Sequence, residues 1–350
     1  MWPIVKYDYN QILYKKLNLY NFFILASLQQ RLRNNYMKIK VGISSCLMGN
    51  EVRFDGGHKH SRLCSGDLSR YFDFITECPE VGIGMGIPRK PIRLTGDVHS
   101  PQVVAVHDSS INYTDKMVAF SQQKAKEYSD LCGYIFMKNS PSCGLFRVKV
   151  YQNNGFPAAE PGRGIYAKAI TEAHPLLPVE ESGRLADANL RENFIARVFA
   201  YHNWQQLKQA GLSHHSILDF HSRYKYSLMA NAPASYGELG RLLADAGKHD
   251  IAELADSYFP MLMTALNKLA TRKTHTNVLM HLQGYLKKVL SSDEKQELAS
   301  IIDQYRIAQI PLIVPITILK HHFNNHPDPY IAKQSYLQPY PDDLSLRNAI

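Results

Sequence analysis

Three short apolar runs, residues 39–45, 72–77 and 134–138, each read as a buried strand, and each is followed by a cysteine in a turn-rich stretch. The cysteines are Cys46 in Ser44-Ser45-Cys46-Leu47-Met48-Gly49, Cys78 in Glu77-Cys78-Pro79-Glu80, and Cys143 in Asn139-Ser140-Pro141-Ser142-Cys143-Gly144. In a doubly wound parallel sheet the loops after the carboxyl ends of the strands gather in one crevice. Three thiols far apart in sequence are therefore expected to meet at one point, which suits a cofactor site better than a core.

Iron–sulfur clusters are commonly held by cysteine thiolates, four in the complete case, so three would leave one iron open as a Lewis acid. Zinc is the rival, because catalytic zinc also has three protein ligands and an open position. The paired C-x₂₋₄-C spacing of structural zinc is absent, and the set is thiol-only with no obvious histidine partner in the same loops, which favours iron–sulfur. Free cysteine often behaves as a small buried hydrophobe. Placement of all three in Pro/Gly turns argues against that reading.

The N-terminal half resembles the thiouracil desulfidases (TudS). It carries Ser44-Ser45-Cys46-Leu47-Met48-Gly49, Val52-Arg53-Phe54-Asp55-Gly56-Gly57, Cys78-Pro79-Glu80 and Ser140-Pro141-Ser142-Cys143-Gly144 in that family's order. Gly164-Ile165-Tyr166-Ala167 and Leu177-Pro178-Val179-Glu180-Glu181 extend the likeness, which spans roughly residues 38 to 185. The resemblance implies a Rossmann-like α/β domain with a [4Fe–4S] cluster on Cys46, Cys78 and Cys143, removing sulfur from a thiolated pyrimidine. A soft thiocarbonyl sulfur suits an open iron, which would polarise the ring carbon for attack by water.

That attack calls for a positioned base. Glu80, two residues after Cys78, is the first candidate and Glu77 the second. Ser140 and Ser142 flank the third cysteine and are placed to hydrogen-bond the pyrimidine or relay a proton, with capping of the Pro141 turn as their ordinary alternative. Arg53, Asp55 and Arg89 are the candidate substrate-binding residues, although Asp55-Gly56 is also a plain turn signal. Lys90 and Arg93 follow in a basic Gly/Pro-punctuated loop suited to a phosphate backbone. His58, His60 and Cys64 supply no closed metal-ligand set and read as loop residues. Cys132 reads as buried filler.

At 350 residues with 45% apolar content the chain is long enough for two globular domains. Five unpaired, scattered cysteines argue against a secreted disulfide scaffold, and no stretch reaches the roughly 20 apolar residues of a spanning helix, so a cytoplasmic location is expected. Residues 1–36 carry five basic residues and one acid, so removing them lowers the net charge from +9 to +5. They lack a convincing signal peptide and read either as a segment upstream of a start at Met37 or as a poorly packed extension.

Beyond about residue 185 the texture is helical. Amphipathic stretches are expected over 191–208, 212–230, 238–246, 251–270, 277–290 and 293–307, with residues 310–319 as a short Pro-broken buried segment. The expected organisation is an α/β Rossmann-like parallel-sheet domain over 37–187, an all-α domain over 188–326, and a loosely held tail over 327–350. The helical half resembles the YbgA-like family through His221-Ser222-Arg223-Tyr224-Lys225-Tyr226, Tyr236-Gly237-Glu238-Leu239-Gly240, and His275, His281 and Gly284-Tyr285. The fusion is similar to RudS-type enzymes, which implies removal of sulfur from 4-thiouridine in tRNA, a non-redox hydrolysis, with the helical domain as RNA reader. His221, Lys225, Lys273 and Lys288 are its candidate phosphate contacts. Free thiouracil bases as substrate, or a non-catalytic metal or redox sensor, are the alternatives. No DNA or membrane partner is expected.

Overall fold

A computed structural model describes residues 38–350; the expectations placed on residues 1–36 lie outside them. Seven strands are described: β1 (Ile39–Ser44), β2 (Phe72–Glu77), β3 (Ile92–Thr95), β4 (Gln102–Ala105), β5 (Tyr134–Phe136), β6 (Val150–Tyr151) and β7 (Val179–Glu181). One sheet has the order β2-β1-β5-β7 with every pairing parallel, and a smaller sheet has the order β4-β3-β6. The three apolar runs thus become adjacent parallel strands. The chain runs outward from β1 to β2 and then returns to β5 on the other side of β1, so the strand order reverses between β1 and β5. Ligands bind at that reversal in open α/β sheets.

The first two helices after the four-residue α1 (Pro79–Gly82) are α2 (Thr114–Glu127) and α3 (Ile165–Ala173). Both pack on the sheet face that carries Tyr134 and Phe136. Those two rings stack at 4.1 Å, and Tyr134 lies against Gly42, where a Cβ would stand 2.2 Å from the ring. Only glycine lets the tyrosine cross β1 there. The opposite face, formed by Ile39, Val41, Ile43 and Ile135, is covered by Phe194, Ile195 and Val198 of α4 (Ala188–Ala210). The first helix of the helical half therefore completes the core of the α/β domain.

Six further helices follow: α5 (His214–Asn231), α6 (Pro233–Ala244), α7 (Ile251–Leu266), α8 (Arg272–Tyr285), α9 (Ser292–Arg306) and α10 (Ile313–Asn325). Capping boxes at Ser213, Thr271 and Ser291 fix the starts of α5, α8 and α9 by satisfying free backbone N–H groups. The N-terminal half is α/β and the rest all-α, as expected. Two apolar clusters hold the helices, one around Trp204 stacked on Phe259 at 4.8 Å, the other around Leu282, Ile302 and Leu319.

Two expectations fail. The stretch over 310–319 is buried at Leu312, Ile316 and Leu319 as expected, but it is not Pro-broken: it leads into α10, because Pro315 falls in the first turn, where no intrahelical N–H bond is lost. The tail after Pro327, expected to be loosely held, is packed. Ile331 and Tyr336 join the second helical cluster, and Tyr340, Leu344 and Leu346 join the core beneath β1. Arg347 meets Glu192 of α4 at 3.0 Å, and Tyr340 donates to the same carboxylate at 3.1 Å. Short apolar anchors spaced by prolines carry no period, so burial was not legible there.

His275 of α8 is buried and shares a 2.8 Å hydrogen bond with Tyr336 of the tail. Burial, reinforced by the charges of Arg347 and Arg272, lowers its pKa to about 3. The unfolded chain, with an ordinary value near 6.5, binds this proton first, so stability is complete above about pH 6.5 and is lost as pH falls toward 3. At pH 5 the loss from this group is about 2 kcal/mol. Chemical unfolding from pH 7 to 5 should show it, and His275→Gln should flatten that slope; an unchanged slope would assign the acid sensitivity elsewhere.

Candidate active site

Cys46 lies in a single 3₁₀ turn (Ser45–Met48) directly after β1, and Cys78 directly follows β2 as the residue before α1. Cys143 sits in the loop after β5, where the Ser140 hydroxyl accepts the backbone N–H of Cys143 at 3.1 Å and of Ser142 at 3.3 Å. The serine thus shapes the turn that presents the thiol. The loop is held from behind by Gly164, the residue before α3, whose Cβ, if present, would stand 2.4 Å from the Ser142 carbonyl oxygen.

All three cysteines line one cavity of about 340 Å³ at the carboxyl ends of β1, β2 and β5. None is in a disulfide. Burial pushes the Cys46 thiol up to about 11, with negative charge at Cys78 adding to the shift and Arg53 opposing it. Burial raises Cys143 further, opposed by the Ser44 hydroxyl and reinforced by Cys78, Glu80 and Cys46. Cys78 is raised by burial too, against hydrogen bonding from the Val81 backbone. An ionised Cys78 disfavours ionisation of both Cys46 and Cys143, as groups facing a common space do. Among the described residues no three His, Cys, Asp or Glu side chains are placed to hold a single metal ion. Three soft thiols meet in the cavity, and its two carboxylates, Glu77 and Glu80, are each engaged by a cationic side chain, which fits an iron–sulfur group on the thiols better than a hard cation.

Glu80 faces the same cavity, 13% exposed, and forms a forked ion pair with Arg89, Nη2 at 2.7 Å and Nε at 2.9 Å from Oε2. Its other oxygen, Oε1, accepts the Ser142 hydroxyl at 2.8 Å, and Ser142 lies 2.9 Å from Ser140. A carboxylate with one oxygen anchored and the other at the end of a hydroxyl chain is equipped to take and pass a proton. Glu77, the second candidate base, also lines the cavity, but its carboxylate is engaged by Lys124 at 3.2 Å and Tyr128 at 3.4 Å.

Arg53 and Arg89 line the cavity, and Asp55 does not: its carboxylate caps its own turn at Gly57 N and meets Arg53 at 3.5 Å. Arg89 is a partner of Glu80 rather than a free substrate clamp. Lys90, Lys273 and Lys288 are exposed, away from the cavity lining. Arg93 is held over the Tyr151 ring at 5.4 Å, and Lys225 over Tyr226 at 5.3 Å. His221, expected to meet phosphate, stacks on Tyr236, and burial lowers its pKa to about 4, so it carries no charge at neutral pH. Tyr224 and Tyr226 are core residues. Cys64 and Cys132 are buried apart from the cavity, and His60 bonds Ser65 at 2.7 Å. Sequence reasoning gave no role to Lys59, Lys138 and Asn139 of the lining, although the last two fall in the strand run and the cysteine-bearing stretch that it singled out.

Residues 41–182 match the family model described as 2-thiouracil desulfurase, and residues 225–341 match a protein family of unknown function, DUF1722. The uncharacterized protein YbgA of Escherichia coli (strain K12) is 35% identical over 159 residues, which are 45% of this chain and 94% of YbgA. A solved [4Fe-4S]-dependent thiouracil desulfidase, TudS, is 24% identical with a TM-score of 0.34, covering 43% of this chain and 94% of that one.

The close approach at Gly164 gives a direct check of how the third thiol is positioned. Gly164→Ala forces a methyl group against the Ser142 backbone, and the overpacking should cost about 1–3 kcal/mol in urea unfolding. An unchanged midpoint would mean that the Ser140–Cys143 loop yields freely and is not set by this contact.

Proposed function

Because the chain belongs to the YbgA-like family and joins that helical domain to a thiouracil-desulfidase-like domain, we propose that it removes sulfur from 4-thiouridine in tRNA, giving uridine and sulfide. The observation that carries this reading is the anchored Glu80 carboxylate, with its Ser142 hydroxyl partner, in the wall of a cavity lined by three thiols. Cys46, Cys78 and Cys143 would hold a [4Fe–4S] cluster, which when bound supplies an open Lewis-acidic iron for the soft thiocarbonyl sulfur.

The chain's own residues supply the rest. Arg89 holds Oε2 of Glu80 and leaves Oε1 toward Ser142, so the carboxylate keeps one orientation through the reaction. Glu80 takes a proton from the attacking water as a C–O bond forms at the ring carbon. The C–S bond then breaks as the Ser140–Ser142 pair returns that proton to the departing sulfur, which leaves as hydrosulfide, while the new hydroxyl group gives up its own proton to solvent as it becomes the carbonyl. Water and thiocarbonyl become carbonyl and hydrogen sulfide with no change in electron count. Lys90, Lys273 and Lys288, exposed and without a side-chain partner among the described residues, are the proposed phosphate contacts. The chain's net charge of +9 agrees with a polyanionic substrate. The small cavity, about 340 Å³, favours a second reading in which free thiouracil is turned over.

Cluster-loaded protein incubated anaerobically with bulk tRNA should convert 4-thiouridine to uridine, quantified by mass spectrometry of digested nucleosides. Glu80→Gln should keep the cluster absorbance and lose about 10²- to 10⁴-fold in turnover, the usual worth of a general base. Cys143→Ala should lose the cluster. Unchanged 4-thiouridine beside consumption of free thiouracil would replace the tRNA reading with the second one.

A further inference from the structure

A larger cleft, about 860 Å³, adjoins the thiol-lined cavity, and Lys138 and Asn139 line both. Its walls come from the loop after β5, the start and outer side of α3, and the turn after β7. Five cationic side chains, Lys138, Arg147, Arg163, Lys168 and Arg184, stand against three carboxylates, Glu160, Glu172 and Glu181. Glu181 is turned inward, where it accepts the backbone N–H groups of Leu145 and Phe146 at 2.9 Å each, so it is spent on holding the loop. Lys138 and Arg147 are exposed and have no side-chain partner among the described residues. Among the described residues Arg163 meets only the Thr171 hydroxyl, at 2.8 Å.

The same wall carries an aromatic face. Phe146 is 38% exposed, and the Arg184 guanidinium lies over its ring at 5.1 Å. An exposed phenylalanine backed by a guanidinium, beside unpaired cations, has the two elements that single-stranded nucleic-acid grooves combine: a charged track and a stacking platform. Arg147, next in sequence, is held at φ 55°, a left-handed conformation that costs a non-glycine residue energy and that the loop imposes.

We propose that this cleft seats the ribose-phosphate strand flanking the reacting base, with Phe146 stacking a neighbouring base and Arg147 and Lys138 meeting its phosphates. The inference rests on the reading that the thiolated base arrives within RNA. A base entering the thiol-lined cavity would leave its sugar at the Lys138–Asn139 lip, where the two spaces join. The small cavity would then read the thiocarbonyl and the large cleft the polymer.

The test uses a fluorescein-labelled single-stranded pentanucleotide RNA with a central 4-thiouridine, followed by anisotropy on cluster-loaded protein over a salt series. Phe146→Ala should weaken binding about tenfold, within the range of one lost base stack. Arg147→Ala should lower the salt slope of log K by about 0.7, the effect of one lost phosphate contact on a single strand. Both should lower the ratio of kcat/KM on the pentanucleotide to that on thiouracil. Binding within twofold of the parent for both variants, or no binding of the pentanucleotide by the parent, overturns the cleft assignment. A parent that binds the pentanucleotide through these residues but leaves its sulfur in place upholds the cleft and overturns the tRNA reaction instead.

Discussion

Strand β1 is hydrogen-bonded to parallel neighbours on both sides, β2 along its full length and β5 at its carboxyl end. That pairing fixes where the chemistry sits. Parallel strands all point the same way, so the segments that leave β1, β2 and β5 emerge at one edge, and the crossing back from β2 to β5 opens a crevice there. Each of the three segments brings one thiol. Shifting any of the strands by one residue would turn its apolar set to the wrong face and carry its cysteine out of the cavity.

The thiols and the carboxylate belong to one network. The Val52 carbonyl oxygen accepts from Arg89 Nη1 at 3.0 Å and lies 3.6 Å from the Cys78 sulfur. Arg89 is nearly buried, 4% exposed at its side chain, and a buried ion pair does not by itself stabilise a fold, because desolvation offsets its attraction. Here Nη1 of the guanidinium also donates to the carbonyls of Val52 and Gly86, which makes the pair tolerable and fixes its geometry. What the pair contributes is orientation. It sets Glu80 against Ser142, and through Val52 it ties the base to the strand exit that presents Cys78.

The strands and the three cysteines were legible because a short apolar run bounded by turns has few other meanings, and the motif order tied the runs together. Glu80 was legible from its place beside Cys78. Its pairing with Arg89 was not, since nothing in a nine-residue separation across a Gly/Pro loop specifies a contact. The cationic reading of His221 failed for a similar reason: sequence gives the residue type, and burial against Tyr236 and Tyr258 decides its charge. The tail was misread because its anchors, Tyr336, Tyr340, Leu344 and Leu346, follow no helical or strand period. They are defined by the surfaces they meet.

Those surfaces change how the two halves of the chain relate. Phe194, Ile195 and Val198 of α4 are fully buried against the sheet, joined by Tyr340, Leu344 and Leu346 of the tail. At about 1.5–3 kcal/mol for each large apolar side chain, the three α4 residues alone contribute roughly 5–9 kcal/mol. That is comparable with the whole net stability of a typical domain, about 5–15 kcal/mol. Cutting the chain near residue 187 would therefore strip one face of the sheet and unfold the thiol-bearing half, so lost activity in such a fragment would say nothing about RNA reading. The contribution of the helical half has to be read from single exposed side chains in the intact chain. Lys273 and Lys288 are suited to this, because their removal leaves every buried contact of α4 and the tail in place.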